Sequence, residues 1–262
     1  MIMDYGLEGK TALVTGGSHG IGFAICEGLG RLGCRVAFCS RTMERLKEAK
    51  ARLDSQFIEN LAIQADVLNE ADCRNVLSVF QEQWSGADIL INNVGGGGRW
   101  GKEKVEQTDL NVWDEVYRKN AGAAIIFTMG CIPYMREKKW GRVITITSKL
   151  GKEGGGRPWF NMAKSAEVSL MKTLSLTKYL VRDGITFNSV APGGIYIEGT
   201  GFETERKADE EKFFANIDAN FPLGRMGRPD EVANLVSFLS SELSSLINGA
   251  QITIDGGETK AF

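Results

Sequence analysis

The chain has 262 residues, 43% hydrophobic and 24% charged, with a formal net charge of -2. That is the composition of a globular protein, and the missing basic excess argues against a nucleic-acid-binding surface. No run of 18 apolar residues is present to cross a membrane, and Met1-Ile2-Met3-Asp4-Tyr5 does not read as a signal peptide, so a cytoplasmic location is expected. His19 is the single histidine, which excludes a metal site built on several histidines and argues against a Ser-His-Asp triad. The five cysteines form no CxxC pair and read as buried, reduced small hydrophobes.

In chain order, short β-branched runs alternate with helical periodicity. Thr11–Thr15 reads as a buried strand, followed by the turn Gly16-Gly17-Ser18-His19-Gly20-Ile21-Gly22 and a helix over 21–32. Glycines at this spacing permit a tight turn, and the helix N-terminus then offers its N–H groups to a phosphate. A second strand over 35–39 ends at Ser40-Arg41, where an enzyme selecting NAD would usually carry an acidic residue. Arg41, with Ser40 beside it, can instead clamp a 2'-phosphate through its fork of donors. A helix over 43–53 leads to a strand over 61–64 and the dipeptide Asp66-Val67. After a helix over 71–84 comes a strand over 89–92, closed by Asn93-Val94-Gly95.

Gly95–Gly98 with Arg99 and Trp100 forms a flexible segment before an extended helix over 109–138. A strand over 143–147 ends at Ser148, and Gly154-Gly155-Gly156-Arg157-Pro158-Trp159 precedes Phe160 and a helix over 163–182. A strand over 186–190 runs into Pro192-Gly193-Gly194-Ile195-Tyr196. The segment 193–221 is polar and partly helical and reads as an insertion over the active face, a substrate lid. Pro229-Asp230-Glu231 opens a last helix, and a strand over 251–254 leads to Asp255-Gly256-Gly257. Seven near-continuous apolar strands alternating with helices predict an α/β fold: a single Rossmann-type domain over 1–262, with a doubly wound parallel sheet and helices on both faces.

These motifs, in this order, resemble the short-chain dehydrogenase/reductase family over essentially the whole chain. The resemblance implies an oxidoreductase moving a hydride between NADP(H), preferred here to NAD(H), and a carbonyl or secondary alcohol. Gly16, Ser18, His19, Gly20, Ile21, Gly22, Ser40, Arg41, Asp66, Val67, Asn93, Gly95, Pro192, Gly193 and Ile195 match its cofactor positions. Asn120, Ser148 and Lys164 match three of its four catalytic positions. By that likeness Ser148 bonds the carbonyl oxygen, Asn120 fixes a water, and Lys164 holds the nicotinamide ribose and lowers the pKa of a tyrosine.

Phe160 takes the tyrosine position. Phenylalanine keeps the ring but has neither proton nor lone pair, and losing a positioned general acid costs on the order of 10²–10⁴ in rate. Two explanations compete: a deliberate Tyr→Phe change, or a natural chain that is a silent NADP(H)-binding pseudoenzyme or uses another proton source. Retention of Asn120, Ser148 and Lys164 favours the first. Tyr196, or a water held by Ser148 and Lys164, is the candidate substitute acid. Arg99, Trp100, Trp159 and Tyr196 are the expected substrate contacts, with an acyl thioester, a sugar or a cyclic alcohol equally compatible. No metal is expected, and the resemblance implies a homotetramer.

Overall fold

A computed structural model describes residues 4–261; Met1-Ile2-Met3, part of the stretch read above as no signal peptide, lies outside the described residues. One seven-stranded sheet is formed by β1 (Thr11–Thr15), β2 (Arg35–Ser40), β3 (Asn60–Gln64), β4 (Ile89–Asn92), β5 (Gly141–Ile146), β6 (Ile185–Pro192) and β7 (Gln251–Ile254). Its order is β3-β2-β1-β4-β5-β6-β7 and every pairing is parallel. The order reverses between β1 and β4, so the carboxyl ends of those strands open a crevice, the usual ligand position in such sheets. All residues of β1, β4, β5 and β6 are buried, as expected for strands covered on both faces.

Two apolar layers cover the sheet. On one face α1 (Gly20–Arg31) and α10 (Pro229–Ser240) pack through Ile25, Leu29, Val232 and Val236. On the other, α3 (Glu70–Trp84), α5 (Ala123–Lys138) and α6 (Pro158–Ser175) pack through Val76, Phe80, Phe127 and Met171. The helix α2 (Met43–Asp54) follows β2, so Glu44 is helical and leaves the strand end to Ser40 and Arg41.

Three boundaries differ from the sequence expectation. The extended helix over 109–138 is α4 (Leu110–Tyr117) and α5 joined by one π-helical turn, Arg118–Gly122. The helix expected from 163 starts five residues earlier, because Pro158 at its first turn has no N–H to lose. It also stops at Ser175, and a separate turn of helix, α7 (Lys178–Val181), completes the expected span. The 193–221 insertion contains α8 (Gly201–Ala208) and α9 (Glu210–Asn220), held by Phe213, Ile217, Phe221 and Met226 in a small core of their own.

Candidate active site

Two concavities at the carboxyl ends of β1, β2 and β4 share His19, Asn93 and Gly95 and so form one cleft, with volumes of about 260 Å³ and about 280 Å³. The first is lined by Gly16, Ser18, Ser40, Arg41, Val67 and Lys119, among others. The second runs past Gly20, Gly22, Ile146, Thr147, Phe160 and Lys164 to Ile197. The glycine-rich turn, Ser40-Arg41, Asn93-Val94-Gly95, Phe160 and Lys164 therefore converge on a single trough.

The turn between β1 and α1 is dictated by its glycines. Gly16 sits at φ +67°, a left-handed backbone that side chains rarely adopt. At Gly22 a Cβ would lie 2.3 Å from the Gly16 carbonyl oxygen and 2.4 Å from Asn93 Nδ2, so only glycine fits. Asn93 completes the turn by donating to the carbonyls of Thr15 (2.9 Å) and Gly16 (3.2 Å). Thr15 Oγ1 accepts from the N–H groups of Asn93 (2.9 Å) and Val94 (3.1 Å), locking β4's exit to β1's. The helix α1 that follows has no side-chain cap and no acidic residue in its first turn. Its leading N–H groups are thus free to meet an anion.

The charges nearby agree. Arg41 and Arg45 pair with no carboxylate among the described residues, and Gln64 fixes the Arg41 backbone by donating to its carbonyl (2.9 Å). Burial, then the neighbouring Arg41, holds the Lys119 ammonium below its ordinary pKa. Burial, then Arg45, likewise pushes His19 towards its neutral form. No aspartate or glutamate lines this half of the cleft. An uncapped helix end beside two unpaired guanidiniums and an ammonium fits the phosphates of a dinucleotide. Arg45 and Lys119 had not been singled out in the sequence; the only signal for Arg45 was its place one helical turn beyond Arg41.

At the other end the polar groups are already engaged with the protein itself. Asn120, fully buried in the π-helical turn, donates to the carbonyls of Gly96 (2.9 Å) and Val116 (2.7 Å) and accepts from the Gly96 N–H (3.2 Å). It thereby clamps the loop after β4, a role beyond the expected water ligand. Ser148 Oγ accepts from Leu150 N–H at 3.2 Å, capping a short turn. Lys164 Nζ donates to the carbonyl of Ile146 (3.1 Å) and to Glu167 Oε2 (2.9 Å). Burial pushes the Glu167 carboxyl up, and Lys164 opposes that shift. Phe160 presents its ring to the cleft, 5.8 Å from Lys164 Nζ to the ring centroid.

A family profile described as Enoyl-(Acyl carrier protein) reductase matches residues 16–259. The 3-oxoacyl-[acyl-carrier-protein] reductase of Aquifex aeolicus is 32% identical over 258 residues, 97% of this chain and 99% of that one. The chain belongs to the short-chain dehydrogenase/reductase family. A second member, the rhamnolipids biosynthesis 3-oxoacyl-[acyl-carrier-protein] reductase of Pseudomonas aeruginosa, is 32% identical over 257 residues, 97% of each chain. The crystal structure of L-sorbose reductase from Gluconobacter frateurii, complexed with NADPH and L-sorbose, superposes with a TM-score of 0.91 at 30% identity. That match covers 99% of this chain and 100% of the other. The short-chain dehydrogenase/reductase architecture is thus the whole seven-stranded sheet, with members that are oxidoreductases.

Several expected contacts sit elsewhere. Trp159 is fully buried: its indole N–H donates to the Gly97 carbonyl (3.2 Å) and its ring meets Trp113 edge-on at 5.3 Å. It packs between α6 and α4 and is not among the residues lining the cleft. Tyr196 packs edge-on against Phe213 at 6.3 Å beside the small core of α8 and α9 and is not among the residues lining either half of the cleft. Ile195 turns into a separate concavity with Leu223 and Ile254, and Ile197, two residues on, closes the cleft instead. Pro192 ends β6 in the core, and Gly193 N–H donates to the Ile254 carbonyl. Asp66 stands outside the lining; its carboxylate caps its own turn, accepting from Leu68 N–H (3.1 Å). Arg99 reaches Glu205 of α8 (2.8 Å) and stacks over Phe202, tying the glycine-rich loop to the insertion. Trp100 lies under the Lys119 ammonium, 4.5 Å from its ring centroid.

Proposed function

We propose that this chain is an NADP(H)-binding short-chain dehydrogenase/reductase whose carbonyl chemistry is slowed by Phe160 at the position of the family's proton-donating tyrosine. The observation that carries the reading is the cleft itself, which begins at Arg41 and Arg45 and ends at the Phe160 ring beside Lys164. Arg41, Arg45 and Ser40 hold the 2'-phosphate, which an acidic residue in their place would repel. Val67 would meet the adenine side and the uncapped α1 N-terminus the pyrophosphate. Bound in this cleft, NADPH would supply the hydride for a carbonyl carbon. Ser148 donates to the carbonyl oxygen, and Thr147 and Ile197 wall the reacting end. At position 160 no proton is available, because a phenyl ring carries no O–H. Water reaching the carbonyl oxygen past Ser148 is the remaining proton source.

A polar carbonyl compound is the substrate class we infer, because the relatives named above are 3-oxoacyl-[acyl-carrier-protein] reductases and an L-sorbose reductase. The same reading includes a homotetramer, supported by the exposed apolar Ile125 and Met129 on α5. The second reading, a natural chain adapted to Phe160, is favoured by one specific contact: the Lys164 ammonium already has a carboxylate partner in Glu167. The deliberate Tyr→Phe reading is decided by the codon at 160 in the native gene.

The test is NADPH consumption by the chain and by Phe160→Tyr across a panel of acyl thioesters, ketoses and cyclic ketones. The expected outcome is a gain on the order of 10² for Phe160→Tyr with at least one carbonyl. A Phe160→Tyr protein that binds NADPH yet reduces nothing in the panel would overturn the oxidoreductase reading.

A further inference from the structure

Glu167 lies three residues beyond Lys164 on α6, on the face turned to the sheet. Glu167 is 1% exposed and Lys164, on the wall of the cleft, is 3% exposed, so the pair is almost wholly buried. A buried carboxylate is costly to keep unless it is paired and hydrogen-bonded. Here the pairing is single: Lys164 Nζ at 2.9 Å is its hydrogen-bonding partner. The elements packed against α6 bring no second charge to it. On β5, Arg142 is committed to the Ser241 carbonyl and Glu242. On the turn after Ser148, Lys149 pairs with Glu153 and Glu258. Lys119 of the π-helical turn lies over Trp100 and its neighbour Arg118 is exposed and donates to the Leu68 carbonyl, while Asp114 and Glu115 of α4 and Lys178 of α7 are exposed. β6 contributes no charged residue.

Two of the three ammonium protons of Lys164 are therefore spent, on Ile146 and on Glu167. Its charge, which in the proposed chemistry would stabilise a phenolate at position 160, is met from behind by a carboxylate. The ring in front of it offers no hydroxyl.

We propose that Glu167 is a positioning residue that fixes Lys164 and neutralises its ammonium, so that the reactive end is set by Phe160, Lys164 and Glu167 acting together. This deepens the reductase reading and rests on it for the meaning of position 160. It follows that a tyrosine placed at 160 meets a lysine whose charge is already compensated, and its phenol gains little acidity. Removing the Glu167 charge frees that field for the phenol.

The experiment is a phenolate absorbance titration of F160Y and of F160Y/E167Q, each referenced to the same chain with Phe160 so that the five native tyrosines cancel. The expected midpoint for F160Y lies near that of an unperturbed tyrosine, about 10. In F160Y/E167Q it falls by a unit or more, giving at least tenfold more phenolate at a pH below both midpoints. Equal midpoints in the two proteins would overturn the proposal. F160Y alone keeps it falsifiable if E167Q does not fold, because a midpoint already a unit or more below a free phenol contradicts a neutralised lysine. Neither titration uses substrate, so failure here leaves the reductase reading standing. An F160Y protein that binds NADPH and reduces no carbonyl sinks that reading alone.

Discussion

The two ends of the cleft are built on the same parallel strands, and they use their polar groups in opposite ways. Around Gly16 and Arg41 the donors point outward: α1 is uncapped, and Arg41 and Arg45 have no carboxylate partner among the described residues. Around Lys164 the donors point inward, with Lys164 on Glu167 and Ile146, and Asn120 on Gly96 and Val116. Ser148 Oγ accepts from Leu150 N–H, which leaves its hydroxyl proton uncommitted. The first arrangement leaves binding energy for a ligand. The second spends its donors on the protein itself. On the proposed reading, binding and turnover are separable properties of one trough.

The sharpest way to break that contrast is at Lys164. K164M leaves Glu167 buried without its partner, and stability is expected to fall by about 3–5 kcal/mol in denaturant unfolding. A loss below about 1 kcal/mol would mean that the reactive end is not internally satisfied as described. Next in size is the glycine turn. G22A drives a Cβ to within 2.3 Å of the Gly16 carbonyl oxygen and should cost about 1–3 kcal/mol along with NADPH binding. G98A makes an ordinary 3.5 Å contact with the Phe160 ring and should leave stability near that of the parent. Equal effects in the two variants would erase the distinction between a built cradle and a loop.

Smaller again is the cofactor preference. R41A should weaken NADPH binding about tenfold or more, the worth of a charged hydrogen bond, with NADH binding unchanged in a calorimetric titration. The smallest effect comes from a control remote from both ends. Glu231 bonds Arg225 and the Arg228 N–H, which hold its carboxyl down to about 2 from an ordinary 4.5. Its folded pKa is depressed, so its contribution is fully present above about 4.5 and lost as pH falls towards 2. E231Q should flatten that part of the unfolding profile by less than about 1 kcal/mol, because the pair is solvent-screened. NADPH binding at neutral pH should not change.

The nucleotide end was legible in the sequence because its logic is local. Apolar runs of strand length fix the sheet, and the turn chemistry of Gly16–Gly22 and Asn93 follows each strand directly. The reactive end was legible by motif only. Trp159 and Phe160 are neighbours in sequence, yet on a helix they lie about 100° apart, and which one faces the cleft depends on the seating of α6 against α4. With the helix expected from 163, both read as rim residues. Glu167 stood at a spacing that pairs side chains on a helix. Its burial, which gives the pair its meaning, comes from α6 settling on the sheet. Ile195 and Ile197 exchange places for a similar reason: the bridge from Ile195 to Gly227 sets which side chain turns inward.

The most direct test of separable binding and turnover measures both on the same two proteins. NADPH dissociation constants of the chain and of Phe160→Tyr are compared with their rates of carbonyl-dependent NADPH oxidation. The account predicts dissociation constants within about twofold of each other and a rate on the order of 10² higher for Phe160→Tyr. Failure of the Phe160 chain to bind NADPH, or equal rates in the two proteins, would contradict it.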